Sequence, residues 1–281
     1  MKLATIDIDG KIGIAATDDV EFKCLLQGQA EFPGTLDELL AVGADLDAVA
    51  RTVLKGAPLH DGTVFLPPVR RPGKIICVGL NYVDHAHELN LEIPDYPTIF
   101  TRFFTSLIGH ENSIVKPGCS EQLDFEAELA FVIGRSGRNV SKADALSYVS
   151  GYSCFNDATL RDYQFRTTQW TIGKNFDQTG AFGPALTLSS ALPSGASGLN
   201  IVGRLNGEVV QASNTDALIF DVPSLVSLLS EVMTLEPGDV VITGTPAGVG
   251  ASRNPKLFMM PGDVFEVEID QIGMLRNAIV G

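Results

Sequence analysis

Through the first twenty residues, apolar and polar positions alternate in short runs, and the turn pair Asp9-Gly10 between them predicts a small hairpin. The period then lengthens. Thr35-Leu36-Asp37-Glu38 places a threonine three residues ahead of an acid, the signature of a helix start, and apolar residues over 46–54 recur at helical spacing. Residues 1–70 therefore read as a small N-terminal α/β domain, closed by Pro67-Pro68 and Arg70-Arg71-Pro72-Gly73, with a larger domain over 71–281. The larger domain opens on the apolar run Ile75-Ile76-Cys77-Val78, of strand length, with polar chemistry directly after it. A strand follows over 124–134, and then a helix over 141–149, where Ser141 is the cap and Ala143, Leu146 and Val149 carry the period. Beyond residue 180 the pattern predicts strands around a turn at Asn206-Gly207, a helix over 222–233, and further strands ending at Pro237-Gly238 and Pro261-Gly262.

Composition narrows the functional classes. The chain has 281 residues and a formal charge of −14, too acidic for a protein that neutralises phosphates, so nucleic acid and anionic membrane are excluded as partners. No apolar run approaches the roughly 18 residues of a membrane span. Asp7 and Asp9 stand where a secretion signal needs an apolar stretch, and Cys24, Cys77, Cys119 and Cys154 form no Cys-x-x-Cys pair. The expectation is a cytoplasmic protein with reduced thiols. The acid excess also leaves room for carboxylates gathered around a divalent cation.

Four groups of residues could carry chemistry. On a strand, Asp124-Phe125-Glu126-Ala127-Glu128-Leu129-Ala130-Phe131 sets Phe125, Ala127, Leu129 and Phe131 on one face, with Asp124, Glu126 and Glu128 on the other. The acids either form a solvated face or, with a third oxygen ligand such as Asp157, hold Mg²⁺ or Ca²⁺. His85 and Glu88 lie three apart; the pair is either an ordinary surface contact or a base whose tautomer the carboxylate fixes. If a helix continues from Asp157, spacings of four and seven bring Arg161 and Gln164 to its face, and Lys174 offers a second cation. Thr243-Gly244-Thr245-Pro246-Ala247-Gly248-Val249-Gly250 lacks the ending of a phosphate loop, but its backbone and Thr245 can receive a carboxylate.

Taken in order, these segments resemble the fumarylacetoacetate hydrolase family. The likeness runs from Lys74 to the end of the chain. It includes Gly79-Leu80-Asn81-Tyr82 with His85 and Glu88, the Asp124 to Ala130 run, Asn156-Asp157, Arg161-Asp162-x-Gln164, Lys174-x-Phe176-Asp177, Leu235-Glu236-Pro237-Gly238-Asp239, the Thr243 loop and Pro261-Gly262-Asp263. The resemblance implies an α+β fold with a mixed sheet rolled into an unusual barrel, a homodimer, and Mg²⁺ or Mn²⁺ held by Glu126, Glu128 and Asp157. It assigns His85 and Glu88 to a segment that closes over substrate, and Arg161, Gln164, Lys174 and Thr245 to the substrate's oxyanion or carboxylate. Asp124 has no metal role in that pattern, and Arg102 stands where members often carry Lys.

Such families act on 2-oxo acids: acylpyruvates and other 2,4-dioxo acids, oxaloacetate, and ring-cleavage products. The expected reaction is metal-assisted hydrolysis of a carbon–carbon bond in a 2,4-dioxo acid, as in an acylpyruvase. The cation serves as Lewis acid, His85 with Glu88 as base toward water, and Lys174 and Gln164 as stabilisers of the pyruvate enolate. The alternatives are decarboxylation of oxaloacetate or isomerisation of a 2-hydroxymuconate-type oxo acid at the same site, and, from a different class, a metal-stabilised binding protein without turnover.

Overall fold

The computed structural model describes residues 1–88 and 92–281, the side chains of Ala86 and His87 excepted. Its largest element is a mixed twelve-stranded sheet. The ladder runs from Ala57–Pro58 through Lys23–Leu26, Lys11–Thr17 and Lys2–Ile8 to Gly180–Leu188, then through Val149–Asp157, Ala127–Ile133, Val240–Ile242 and Ile75–Gly79 to Thr98–Thr101. Lys2–Ile8 pairs with Gly180–Leu188, so the N-terminal residues and the rest of the chain share one sheet. The joint between Val240–Ile242 and Ile75–Gly79 is parallel, as is that between Leu107–Ile108 and Gly180–Leu188. A second, five-stranded sheet is built from Glu208–Asn214, Asn200–Leu205, Val264–Ile269, Gly273–Val280 and Ile114–Val115. Among the described residues no sheet closes on itself. The long ladder ends on Ala57–Pro58 and Thr98–Thr101, which do not pair with each other, and a two-stranded ribbon of Leu123–Asp124 with Thr159–Leu160 completes the sheets; the fold has the expected mixed sheet, and no closed barrel is found among the described residues.

Ala127–Ile133 lies between two apolar layers, which explains its composition. Phe125, Ala127, Leu129 and Phe131 face the core shared with the second sheet, where Phe125 stacks on Phe265 at 4.9 Å, while Ala130 and Val132 join Leu3, Ile14 and Leu36 on the other side. A strand buried on both faces cannot carry a solvated acidic face, and that reading of the alternation is overturned. The helix Leu36–Ala41 starts where the sequence predicts, with Thr35 and Glu38 closing a full capping box. Leu46–Val53 follows from the Asp45 cap, and Val222–Val232 from the Asp221 cap. The helix expected over 141–149 is instead a single 3-10 turn, Ala145–Tyr148. Ser141 caps a local turn through Asp144, and Val149 is drawn into the sheet opposite Ile133, so a tertiary ladder overrides the helical period.

Candidate active site and metal centre

Antiparallel register assembles the acidic centre. Ala127 pairs with Asn156 and Glu128 with Phe155, and the Asp157 N–H donates to the Glu126 carbonyl at 3.0 Å. Directly opposed residues share a face, so Glu126, Glu128 and Asp157 converge on one side of the sheet. Their ligand oxygens all lie within 4.8 Å of one another, and all three side chains are buried. An all-carboxylate donor set of this size suits a hard divalent cation such as Mg²⁺ or Mn²⁺.

The surrounding charges bear on that fit. Lys174 Nζ lies 2.6 Å from both Glu126 Oε2 and Asp157 Oδ2. Arg161 reaches Glu126 Oε1 at 2.7 Å and Asp124 Oδ2 at 2.8 Å, and Arg102 pairs with the remaining oxygen of Asp157. Burial by itself would raise Glu126, yet Lys174 and Arg161 bring it down to about 2. Those carboxylates in turn keep Lys174 above its ordinary value against the effect of burial. Glu128 is different: it accepts the Gly244 N–H at 2.5 Å, and among the described residues no cation pairs with it. Burial, followed by repulsion from Asp157 and Glu126, pushes it well above the usual carboxylate range. With Glu128 ionised, as a metal ligand would be, four carboxylates face three cations and carry one net negative charge, which a divalent ion would reverse to one positive.

The base lies on the short helix Val83–Glu88. His85 Nδ1 is 3.1 Å from Glu88 Oε2, while the other oxygen of Glu88 accepts from Gly248 N at 3.0 Å and Ser252 Oγ at 2.7 Å. A carboxylate only accepts, so Nδ1 carries the proton and Nε2 is left as the basic nitrogen. The glycine-rich loop does receive carboxylates, but they are the protein's own. Gly244 N holds Glu128, Gly248 N holds Glu88, and Gly250 N and Ala251 N hold Asp124 at 2.7 and 2.8 Å. Gly248 sits at φ +106°, and a Cβ there would lie 2.2 Å from the Val210 carbonyl, so only glycine brings this N–H to Glu88.

His85, Glu126, Glu128, Arg161, Gln164, Lys174 and Thr245 line one cavity of about 300 Å³; Asp157 completes the acidic centre and Glu88 stands behind His85. Two expectations about these residues change. Asp157 ends the strand Val149–Asp157, and Thr159–Leu160 pairs with Leu123–Asp124 before the helix Arg161–Gln164 begins, so no helix carries Asp157 with Arg161. Thr245 donates to the Ala127 carbonyl at 3.0 Å and accepts from Gln211 at 2.8 Å, so its hydroxyl is engaged with the strand bearing the acids. Gln164 gives its oxygen to Arg161 Nη1 at 2.9 Å, which leaves its amide N–H groups as donors. Arg102 is buried behind Asp157 and does not line the cavity; Asp124 likewise supports Arg161 from behind. The sequence reading missed Ser252, Gln211 and the apolar wall of Phe100, Phe165 and Trp170. Only Trp170 carried a signal, as the chain's single tryptophan four residues ahead of Lys174.

The sequence profile described as fumarylacetoacetate (FAA) hydrolase C-terminal matches residues 74–280. The chain belongs to the fumarylacetoacetate hydrolase family. Within this enzymatic family it is 40% identical over 254 residues to oxaloacetate tautomerase FAHD2A of Homo sapiens, covering 88% of this chain and 80% of that one. A fumarylacetoacetate hydrolase structure from Exiguobacterium antarcticum superimposes with a TM-score of 0.87 at 34% identity, over 100% of this chain and 99% of its own. A maleylpyruvate hydrolase from Sphingobium sp. SYK-6, in complex with manganese (II) ion and pyruvate, gives 0.80 at 28% identity, over 100% and 99%. The family includes hydrolases and tautomerases acting on oxo acids, and the buried acidic centre together with the manganese-bound neighbour points to a divalent metal.

Proposed function

We propose that this chain hydrolyses a carbon–carbon bond in a 2,4-dioxo acid of the acylpyruvate type, releasing pyruvate and a second acid. The observation that carries this reading is the His85–Glu88 pair, whose basic Nε2 belongs to the same cavity as the acidic centre. Glu126, Glu128 and Asp157 would hold Mg²⁺ or Mn²⁺, which would supply Lewis acidity toward the 2-oxo acid. His85 takes a proton from water at Nε2 as the water oxygen adds to the distal carbonyl, and Glu88 stabilises the imidazolium through Nδ1–H. When the carbon–carbon bond breaks, its electron pair passes to the pyruvate fragment as an enolate, and His85 returns the proton to carbon. The free amide N–H groups of Gln164 donate to the oxygen where charge builds. Lys174 and Arg161 keep the carboxylates ionised and in place.

The 40% identity to an oxaloacetate tautomerase favours a second reading. There His85 would remove and return a proton at the carbon next to the oxo group, and no water would add. A paired assay separates the two readings: pyruvate release from acetylpyruvate and loss of enol absorbance from oxaloacetate, each with Mg²⁺ and with chelator. Hydrolysis predicts metal-dependent pyruvate release. Turnover of oxaloacetate enol without pyruvate release from any 2,4-dioxo acid would transfer the assignment to the second reading. In either reaction His85→Ala lowers turnover by ~10² to 10⁴.

A further inference from the structure

Beside the charged and polar residues, the cavity lining is apolar. Val78, Gly79, Leu80, Phe100, Phe165 and Trp170 form its wall. Trp170 is held in place: its ring meets Phe100 edge-on at 5.5 Å, and it packs so closely over Gly79 that a Cβ there would sit 2.3 Å from ring carbon Cζ3. Lys174 Nζ lies 5.1 Å from the Phe100 ring centre, so the aromatic wall begins next to the acidic centre. Phe165, 67% exposed, continues it to the mouth.

The wall has no charge to offer an anion. Among the described residues, Arg161 and Lys174 are the Lys and Arg side chains lining the cavity, and both are paired with carboxylates. Arg166, next in the chain to Phe165, is stacked over the Tyr163 ring at 3.6 Å. From Tyr82 to Thr101 the sequence holds no Lys or Arg; its ionisable side chains are the acids Asp84, Glu88, Glu92 and Asp95, the histidines His85 and His87, and the tyrosines Tyr82 and Tyr96. A second substrate carboxylate placed against this wall would lose its hydration and, among the described residues, find no unpaired Lys or Arg.

Building on the 2-oxo acid reading above, we propose that the substituent beyond the oxo acid head is uncharged and apolar, an alkyl or aryl group packed on Trp170, and that Trp170 sets this preference. Substrates ending in a second carboxylate, oxaloacetate among them, are then the poor ones.

Three unreactive probes share the oxamate head, which mimics a 2-oxo acid: oxamate, N-benzyloxamate and N-(carboxymethyl)oxamate. Binding to the Mg²⁺-loaded full chain is measured by calorimetry and by the fluorescence of Trp170, the only tryptophan present. The benzyl probe should bind at least tenfold more tightly than the carboxymethyl probe and change the Trp170 emission. Trp170→Arg should bring that ratio to one or below while parent oxamate still binds. If Trp170→Arg does not fold, Phe165→Arg at the exposed mouth should also lower the ratio. Equal binding of the two tailed probes in the wild type, with oxamate bound, overturns the proposal and leaves the 2-oxo acid reading standing. Failure of all three probes to bind overturns that reading and the proposal together.

Discussion

Ser252 shows how much of the base depends on one distant hydroxyl. It donates to Glu88 from 164 residues away, and with Gly248 N it saturates one carboxylate oxygen, which leaves the other for His85. Burial acts to raise Glu88, but His85, Ser252 and Gly248 together hold it below the ordinary carboxylate value. A depressed carboxylate contributes stability above its unfolded pKa of about 4.3, and that contribution is lost as pH falls through the lower folded value. Glu88 is therefore ionised at neutral and mildly acidic pH. Ser252→Ala should cost about 1.5 kcal/mol, or roughly tenfold in kcat/KM, with Mg²⁺ binding unchanged by calorimetry. In Glu88→Gln the imidazolium formed during turnover loses its counter-charge, so the plateau of kcat/KM should fall while Mg²⁺ binding by calorimetry is unchanged. An unchanged plateau would show that Glu88 does not act through His85.

Among the elements, the strand Ala127–Ile133 is the most instructive. Alternation alone tells that Glu126 and Glu128 share a face opposite Phe125 and Leu129. It cannot tell that this face is buried, because the groups that make burial tolerable, Lys174 and Arg161, belong to two other short helices. Period failed at 141–149 for the opposite reason, since the ladder opposite Ile133 claimed a residue the helical pattern needed. Where the determinant is local, the sequence was sufficient. Thr35 and Glu38 lie three residues apart and cap a helix with no help from the rest of the fold. Thr35→Ala should accordingly lower stability by about 1 kcal/mol in urea titration and leave turnover unchanged.

At the scale of the whole molecule, the acidic centre joins the layers, with Asp124, Glu126 and Glu128 meeting cations and loop N–H groups contributed from residue 161 onward. A cation that binds the folded form alone adds about 2.7 kcal/mol at a hundred times its Kd. For a chain of this size that is a rise of about 5 °C in Tm, readable by calorimetric scanning with Mg²⁺ against chelator. Glu128→Gln should remove most of this shift and leave the chelated protein about as stable, because a neutral amide replaces a carboxyl whose charged form is disfavoured by burial and by Asp157 and Glu126. A shift of wild-type size in that variant would exclude Glu128 as a ligand.

The sequence by itself determined the family, the chemical types at the site and their order, and the local elements whose causes lie within a few residues. Tertiary structure alone decided that the glycine-rich loop serves the protein's own carboxylates, that Arg102 works behind Asp157, and that an aromatic wall shares the cavity with the base. Each of these rests on pairings across 55 to 164 residues or on a cavity surface. Side-chain spacing encodes neighbours within a turn of helix or a step of strand, whereas charge compensation and cavity walls depend on which distant segments the ladders bring together.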